Sequence, residues 1–324
     1  MPDLRILHWE TLSKNQFDAI DRERAVVMLT CSPLEVHGPH LPLGADVFEG
    51  AGLAERALRF LPERHCDRSF LALPFIYVAA DPVPQPGSIG FRPSTLISVI
   101  EDLGRSLANQ GFRNVLVSNF HGSPRHFLAI ETGCDRVAKT TGIRMLCLFS
   151  AMLTRLGVEG SELGHVLGHI DGVRATDFDA DTHAGLVETS QLLALHPEWV
   201  DPSYKSLPKR STAIWAAENG ITHAKARGSG PAAIPAMVAQ FKNTLKFFAE
   251  ETYSGSPAEA SAELGESFLD VLAEGSAKAI TELLDGRLPE AQWHSPIWKL
   301  RQLFVNPLAI RALDRLLDTP ETVG

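Results

Sequence analysis

Residues 94–118 read STLISVIEDLGRSLANQGFRNVLVS, and this stretch decides the class of fold. Apolar residues recur in it at three- and four-residue spacing, at Leu96, Ile100, Leu103 and Leu107. This spacing predicts an amphipathic helix over 94–110, which Gly111 is suited to end. The segment NVLVS at 114–118 then has the composition of a buried strand. A helix that leads directly into a buried strand is typical of an α/β protein.

Strand-like and helix-like segments alternate on both sides of this unit. Strand composition marks the segments 25–31, 70–78, 114–118 and 143–149. Helical composition marks the segments 47–64, 94–110 and 125–141 between them. The order β-α-β-α-β-α-β with short connections predicts a three-layer α/β/α fold with a mainly parallel central sheet. Such sheets place their sites at the carboxyl ends of the strands, so we expect a site in the loops that follow the predicted strands.

The second half of the chain is mostly helical by composition. Candidate helices span 183–195, 234–251, 259–284 and 307–317. The segment YSGSP at 253–257 is typical of a boundary. We therefore expect a main catalytic domain over 1–254 and a helical C-terminal extension over 255–324. The extension should contact the body of the protein or a neighbouring subunit.

Composition excludes several classes of protein. The chain has 30 Lys+Arg and 39 Asp+Glu, which gives a net charge of −9. This acidic balance argues against general binding to nucleic acid or to an anionic membrane, since both require a basic face. The longest nearly apolar stretch, 70–80, is far shorter than the roughly 20 residues of a spanning helix. The cysteines are widely spaced and the N-terminus lacks a signal-peptide pattern, so we expect reduced thiols and a cytoplasmic location.

The loop after the first predicted strand concentrates polar side chains. Residues 33–46 read PLEVHGPHLPLGAD and hold two imidazoles and two carboxylates. Glu35 and His37 are two residues apart, so in an extended segment they point to the same side. Asp46 lies at the start of a predicted helix, where an anion is favoured. A mixed nitrogen and oxygen set suits zinc, manganese or iron. The alternative is a proline-rich surface loop that holds these residues by chance.

A second candidate segment, SNFHGSP, spans 118–124. It places His121 directly after a predicted strand, on the rim expected for the first cluster. The same segment is also typical of a helix start, with Ser123 as the cap and Pro124 at the first helical position. Both interpretations can hold together.

A third candidate segment, DTHAGLVETS, spans 181–190 and enters a predicted helix. His183 and Glu188 could both reach a site at the start of that helix. The alternative is a capped helix entry, with Asp181 or Thr182 as the cap and Glu188 in solvent.

Together these segments resemble the creatininase family, that is, creatinine amidohydrolase and its relatives. The matching motifs are EVHGPHLPLGAD at 35–46, NFHG at 119–122, DTHAGLVETS at 181–190 and LLALHPEWV at 192–200. The resemblance covers about residues 1–254. It implies an α/β fold with a two-metal site, hydrolysis of C–N bonds in cyclic or linear amides, and assembly into a homo-oligomer, often a hexamer.

The resemblance also assigns roles to single residues. It makes Glu35, His37, Asp46 and His121 metal ligands, with Asp46 bridging two ions. His183 falls at the family histidine that serves substrate binding and proton transfer. Creatininase itself has a glutamate at the position of Ser123, so the fifth ligand is expected to be Glu188, which with His183 completes the catalytic pair. No tryptophan lies just upstream of His183, which argues against creatinine itself as the substrate.

The charges of this set are consistent with hydrolysis. Two divalent ions bring four positive charges, and Glu35, Asp46 and Glu188 bring three negative ones, so one bridging hydroxide neutralises the sum. The hydroxide would attack an amide carbon while a metal stabilises the oxyanion. His183 would protonate the leaving nitrogen, a contribution of typically ~10²–10⁴ in rate.

The sequence thus predicts a metal-dependent amidohydrolase that acts on a small cyclic or linear amide. Its expected cofactors are two divalent ions, zinc, manganese or both, with iron as an alternative. A relative that cleaves a peptide or a formamide is the alternative among enzymes. The alternative that is not an enzyme is a binding protein that retains the metals but has no turnover. This alternative stays open because Ser123 and Pro124 depart from the family pattern.

Overall fold

The computed structural model describes residues 5–157, 163–178, 180–221, 234–289 and 292–317. Its strands are β1 Ile6–His8, β2 Val26–Thr30, β3 Phe70–Ala72, β4 Asn114–Ser118 and β5 Arg144–Cys147. Its helices in the first half are α1 Lys14–Asp18, α2 Ala45–Leu58, α3 Glu63–Cys66, α4 Pro93–Asn109, α5 Pro124–Thr141 and α6 Leu148–Leu156. The later helices are α7 Leu163–Leu167, α8 Leu186–Leu195, α9 Thr212–Glu218, α10 Ile234–Glu250, α11 Ala262–Leu284, α12 Gln302–Val305 and α13 Pro307–Leu317.

The strands form one five-stranded sheet in the order β1-β3-β2-β4-β5, and every neighbouring pair is parallel. The mainly parallel sheet is therefore confirmed. The edge strand β1 was not predicted, because three residues are too few to show a period. The predicted strand over 143–149 was too long, since α6 begins at Leu148. A short apolar run does not distinguish a buried strand from a buried helix.

Side chains on the two faces of the sheet enter two separate apolar cores. In the central strand β2, Val26 and Met28 face a core shared with α2, α8 and α11. Val27 and Leu29 face the opposite core, which contains residues of α4 and α5. This alternation is the pattern of a strand buried on both faces, and it confirms the three-layer α/β/α fold.

The helix α11 packs closely against the body of the protein. It contacts α2, α6 and α8, and its Phe268, Leu269 and Leu272 are fully buried. At Gly265 a Cβ atom would lie 1.8 Å from the backbone oxygen of Ser190, so only glycine permits this approach to α8. The described part of the extension is mostly helical, whereas the predicted domain boundary at residue 254 stays a prediction. None of the described helices combines the length and apolar character needed to cross a bilayer.

The connections of the sheet open a crevice between β2 and β4. These strands are neighbours, and Thr30 pairs with Ser118 at their carboxyl ends. After β2 the chain goes to β3 on one side, and after β4 it goes to β5 on the other side. The two loops diverge at this switch point and leave room for a site. The loop after β2 contains the polar segment 33–46, and the loop after β4 contains the polar segment 118–124.

Candidate metal centre

All five side chains predicted as ligands lie together at this crevice. They form two groups that share Asp46, namely Glu35 with Asp46 and His121, and His37 with Asp46 and Glu188; a third group joins Glu35 and His37 to His183. Within each group the candidate ligand atoms lie within 4.8 Å of one another, and Asp46 belongs to the first two groups. The geometry is that of two adjacent cation sites with one shared carboxylate. The ligand roles themselves stay a prediction.

Glu35 is held from the loop that follows β3. Its Oε1 accepts a hydrogen bond from the backbone N–H of Val83 at 2.5 Å. Its Oε2 lies 2.9 Å from Nδ1 of His121. The loop contact therefore fixes one oxygen and leaves the other directed at the candidate site.

His37 is fixed in the tautomer that a metal requires. Its Nδ1 lies 3.0 Å from the backbone oxygen of Glu35, which can only accept, so Nδ1 carries the proton. Its Nε2 lies 3.4 Å from Oδ1 of Asp46 and 3.8 Å from Oε2 of Glu188. Nε2 therefore faces the point where the two carboxylates converge, the position from which it would bind an ion in place of a proton.

Asp46 occupies the first turn of α2, where the helix dipole favours its charge. Its Oδ1 faces His37, and its Oδ2 lies 3.5 Å from Nδ1 of His121. Each oxygen therefore faces a different imidazole. This arrangement suits a carboxylate that bridges two ions.

Glu188 is positioned by the entry into α8. The carboxylate of Asp181 accepts hydrogen bonds from the backbone N–H groups of Leu186 and Val187, at 2.5 and 2.9 Å, and so caps the helix. The backbone N–H of Ala184, a residue with φ of +48°, donates to Oε2 of Glu188. The predicted capped entry and the predicted reach of Glu188 toward the site therefore hold together, but Glu188 is not left in solvent.

His183 lies beside the two groups, with its ring centroid 4.2 Å from that of His37. Its Nε2 donates to the backbone oxygen of Val36 at 2.7 Å, so Nδ1 remains as an acceptor. Burial, with the nearby His37 adding to it, lowers the pKa of His183 to about 4. The ring is therefore neutral near pH 7.

The buried atoms of the site fit cations. Four of them make no hydrogen bond within the described part of the chain: Glu35 Oε2, His37 Nε2, Asp46 Oδ2 and His121 Nε2. Buried polar atoms without partners are costly, and a cation among them removes that cost. Burial alone would lower the pKa of His37, but the charge of Asp46 outweighs it and raises this pKa to about 10. The carboxylates therefore attract positive charge into the site.

Ser123, which occupies the position of a glutamate in creatininase, belongs to none of these groups of candidate ligands. Ser123 donates from Oγ to Oδ2 of Asp81 at 2.9 Å. Asn119 donates from Nδ2 to the backbone oxygen of His121 at 3.1 Å and so helps to fix the backbone that carries this imidazole. The ring of His40 lies 2.8 Å, through Nε2, from Oγ1 of Thr189 on α8.

Glu49 and His126 are buried groups near the site that the sequence analysis did not single out. Glu49 is three residues after Asp46, hence on the same face of α2, and this spacing was the available signal. Burial raises its pKa well above the usual value, and the charges of Glu188 and Asp46 add to this effect. His126 donates from Nε2 to the backbone oxygen of Cys31, and its ring centroid lies 5.2 Å from that of His121.

Known proteins resemble this chain in sequence and in fold. The mycofactocin precursor peptide peptidase of Mycolicibacterium smegmatis is 28% identical over 174 residues, which are 53% of this chain and 59% of that protein. The match thus spans less than two thirds of the peptidase. A manganese creatininase has a TM-score of 0.56 at 22% identity, over 86% of this chain and 98% of the other. A Zn–Zn form of a creatininase mutant has a TM-score of 0.55 at 21% identity, over 85% and 97%.

At 21–22% identity, the similarity to the solved structures shows only a shared fold. The family is instead shown by a match of the sequence to a family model. The model of the creatininase family, described as creatinine amidohydrolase, matches residues 10–280. The match includes each of the three segments that carry the candidate site and extends over most of the chain. The chain belongs to the creatininase family.

Proposed function

We propose that the chain is a metal-dependent amidohydrolase that cleaves the C–N bond of a small cyclic or linear amide. The observation that carries this proposal is the pair of ligand groups that share Asp46, buried next to a neutral histidine, His183. Two adjacent cation sites beside a proton acceptor are the parts that hydrolysis of an unreactive amide requires.

Each group would hold one divalent ion. Glu35, Asp46 and His121 would hold the first, and His37, Asp46 and Glu188 the second. Manganese and zinc are the first candidates, because both accept mixed imidazole and carboxylate ligands. When bound, such ions activate water and polarise the amide carbonyl.

His183 would move the proton. Since Nε2 is held by the backbone oxygen of Val36, the atom that takes up a proton is Nδ1. A ring that is neutral near pH 7 can accept this proton and then pass it to the leaving nitrogen. Phe248, whose ring stands edge-on to His183 at 5.6 Å, helps to hold the imidazole in place.

A peptide bond is the second candidate target. It is favoured by the similarity to a mycofactocin precursor peptide peptidase, which is 28% identical over the matched 174 residues. The departure at Ser123, which binds Asp81 and not the ligand groups, also separates this chain from creatininase itself.

The test is an assay of cyclic amides, formamides and short peptides with protein loaded with manganese or zinc. The His183→Ala variant should lose about 100-fold or more of the activity while metal content per chain, measured by mass spectrometry of the elements, is unchanged. The matched control is His8→Ala, because His8 is exposed at the end of β1 and should be silent.

Two outcomes would contradict the proposal. If both ions bind but no amide is hydrolysed, a metal-retaining binding protein without turnover is the better description. If His183→Ala retains full activity, the proton is moved by another group and the proposed role of His183 is wrong.

A further inference from the structure

A cleft of about 210 Å³ lies between the loop after β3 and the last described helix. Its walls are the segments 81–82 and 90–94, Arg125 at the start of α5, and Ile310, Arg311 and Asp314 of α13. The family model ends at residue 280, so α13 lies beyond the part of the chain that the family shares. One wall of the cleft is therefore an addition of this chain.

The cleft carries positive charge in an acidic protein. Arg92, Arg125 and Arg311 line it together with Asp81 and Asp314, so three positive charges face two negative ones. Both aspartates are engaged with Arg125, Asp81 at 3.5 Å and Asp314 in closer contact. Among the residues that the structure describes, Arg92 and Arg311 make no ion pair. Within that part of the chain, both guanidinium groups are exposed and face the cleft without a carboxylate partner.

The N-terminus of α4 and the apolar lining of the cleft indicate which kind of ligand would fit. The 17-residue helix α4 begins at Pro93, so its positive dipole end adds to the charge of Arg92. Apolar groups complete the lining, among them Phe91, Val305 and Ile310. Guanidinium groups bind carboxylates by charge-assisted hydrogen bonds, and the apolar wall suits a hydrocarbon part next to the anion.

The cleft and the candidate metal centre share two loops. Asp81 accepts a hydrogen bond from Ser123, which is two residues after His121. Val83, two residues after Asp81, donates to the carboxylate of Glu35. A molecule that occupied the cleft would therefore lie against the loops that hold two of the proposed ligands.

We propose that this cleft is a substrate subsite that binds a carboxylate attached to an apolar group, with Arg92 and Arg311 as the anion-binding residues. The proposal rests on the proposed function for its role in turnover, whereas binding itself can be tested alone. It adds to the proposed amidohydrolase a preference for acidic substrates, and it assigns that preference jointly to the loop before α4 and to the C-terminal helix α13.

The binding test uses N-acetyl-phenylalanine and its primary amide as probes, measured by titration calorimetry with the metal-loaded full chain. The acid should bind more tightly than the amide. Arg311→Gln and Arg92→Gln should each weaken binding of the acid by about tenfold and leave binding of the amide unchanged. Arg315→Gln is the matched control, since Arg315 is exposed on α13 but does not line the cleft.

The outcomes separate this proposal from the proposed function. Equal affinity for acid and amide would overturn it, and so would tight binding of the acid that neither arginine variant weakens, because the carboxylate would then occupy the metal centre. If a substrate with a carboxylate is hydrolysed, Arg311→Gln should raise KM with little change in kcat. A lack of turnover with intact arginine-dependent binding would contradict the amidohydrolase and leave the subsite standing.

Discussion

Asp46 is the residue on which both halves of the candidate metal centre depend, because its two oxygens face His37 and His121 separately. Glu188 belongs to one half only. Glu188→Gln should therefore retain about one ion per chain, whereas Asp46→Asn should retain less than one. Elemental analysis after dialysis measures both. Equal metal content in the two variants would show that Asp46 is not shared.

Gly185 is required by the capping carboxylate of α8. A Cβ atom at this position would lie 1.7 Å from Oδ1 of Asp181 and 2.8 Å from the backbone oxygen of Ser254. We expect Gly185→Ala to lower the free energy of unfolding by about 1–3 kcal/mol, because Asp181 cannot move without breaking the cap and the oxygen of Ser254 is held by the backbone N–H groups of Thr182 and His183. Urea denaturation measures the loss.

The control for this substitution is Gly122→Ala, since a Cβ atom at Gly122 meets nothing within 4 Å. If both variants lose the same stability, crowding against Asp181 is not the cause.

At the scale of elements, an ion cluster joins α3 to the end of α11. Asp285 accepts hydrogen bonds from Arg64 at 2.6 Å and from His65 at 2.8 Å, and it also contacts Arg287. The guanidinium of Arg64 holds the pKa of Asp285 well below its usual value, and Arg287 and His65 add to this effect. The cluster ties a surface segment near the sheet edge to the helix that covers one face of the sheet.

The sign of this shift predicts a pH dependence. A carboxyl with a lowered pKa in the folded state stabilises the fold above its ordinary pKa, and the contribution is lost as pH falls below that value. Asp285→Asn should thus lower Tm at pH 7, and the difference from the unsubstituted protein should shrink as pH falls toward 3. Thermal melts across this range provide the measurement, with Asp102→Asn on the exposed side of α4 as the control. If the difference in Tm between Asp285→Asn and the unsubstituted protein is the same at every pH, the lowered pKa of Asp285 is not the cause of the stabilisation.

At the scale of the whole molecule, we expect two parts of the C-terminal extension to contribute unequally to stability: the part with α11 contributes more than residues 306–324. Phe268, Leu269 and Leu272 of α11 are fully buried, and each side chain of this size contributes about 1.5–3 kcal/mol when removed from water. Removal of residues 255–324 should abolish cooperative unfolding, whereas removal of 306–324 should leave it intact with a lower Tm. Calorimetry of both truncated proteins tests this, and an unchanged Tm after the longer deletion would support the predicted boundary at 254.

The homo-oligomer expected from the family resemblance would need an exposed apolar surface. An aromatic patch formed by Phe48, Phe75, Tyr77 and Trp199 offers one, and Trp199 is 44% exposed in it. Trp199→Glu should dissociate the assembly, as measured by light scattering after gel filtration. Phe60→Glu is the control, because Phe60 is 42% exposed at the end of α2, outside this patch. An unchanged mass in Trp199→Glu would place the interface elsewhere.

Local pattern was sufficient for the class of fold and for locating the three polar segments, whereas the predicted ligand roles came from the resemblance of those segments to the creatininase family. The three-layer fold followed from helix and strand periods, and the segments that hold Glu35, His121 and Glu188 were found because they directly follow a predicted strand or start a predicted helix. These signals are contained in short stretches of chain, where the spacing of side chains depends only on the local backbone.

Only the tertiary structure decided how these residues meet and what surrounds them. The resemblance implied a bridging role for Asp46, but the direction of its two oxygens toward His37 and His121 depends on contacts between segments far apart in the chain, as does the bond from Val83 to Glu35. The cleft between Arg125 and α13 depends on such contacts as well. Distances across the sheet are fixed by the order of the strands and the packing of the helices. The spacing of residues along the sequence therefore does not predict these distances.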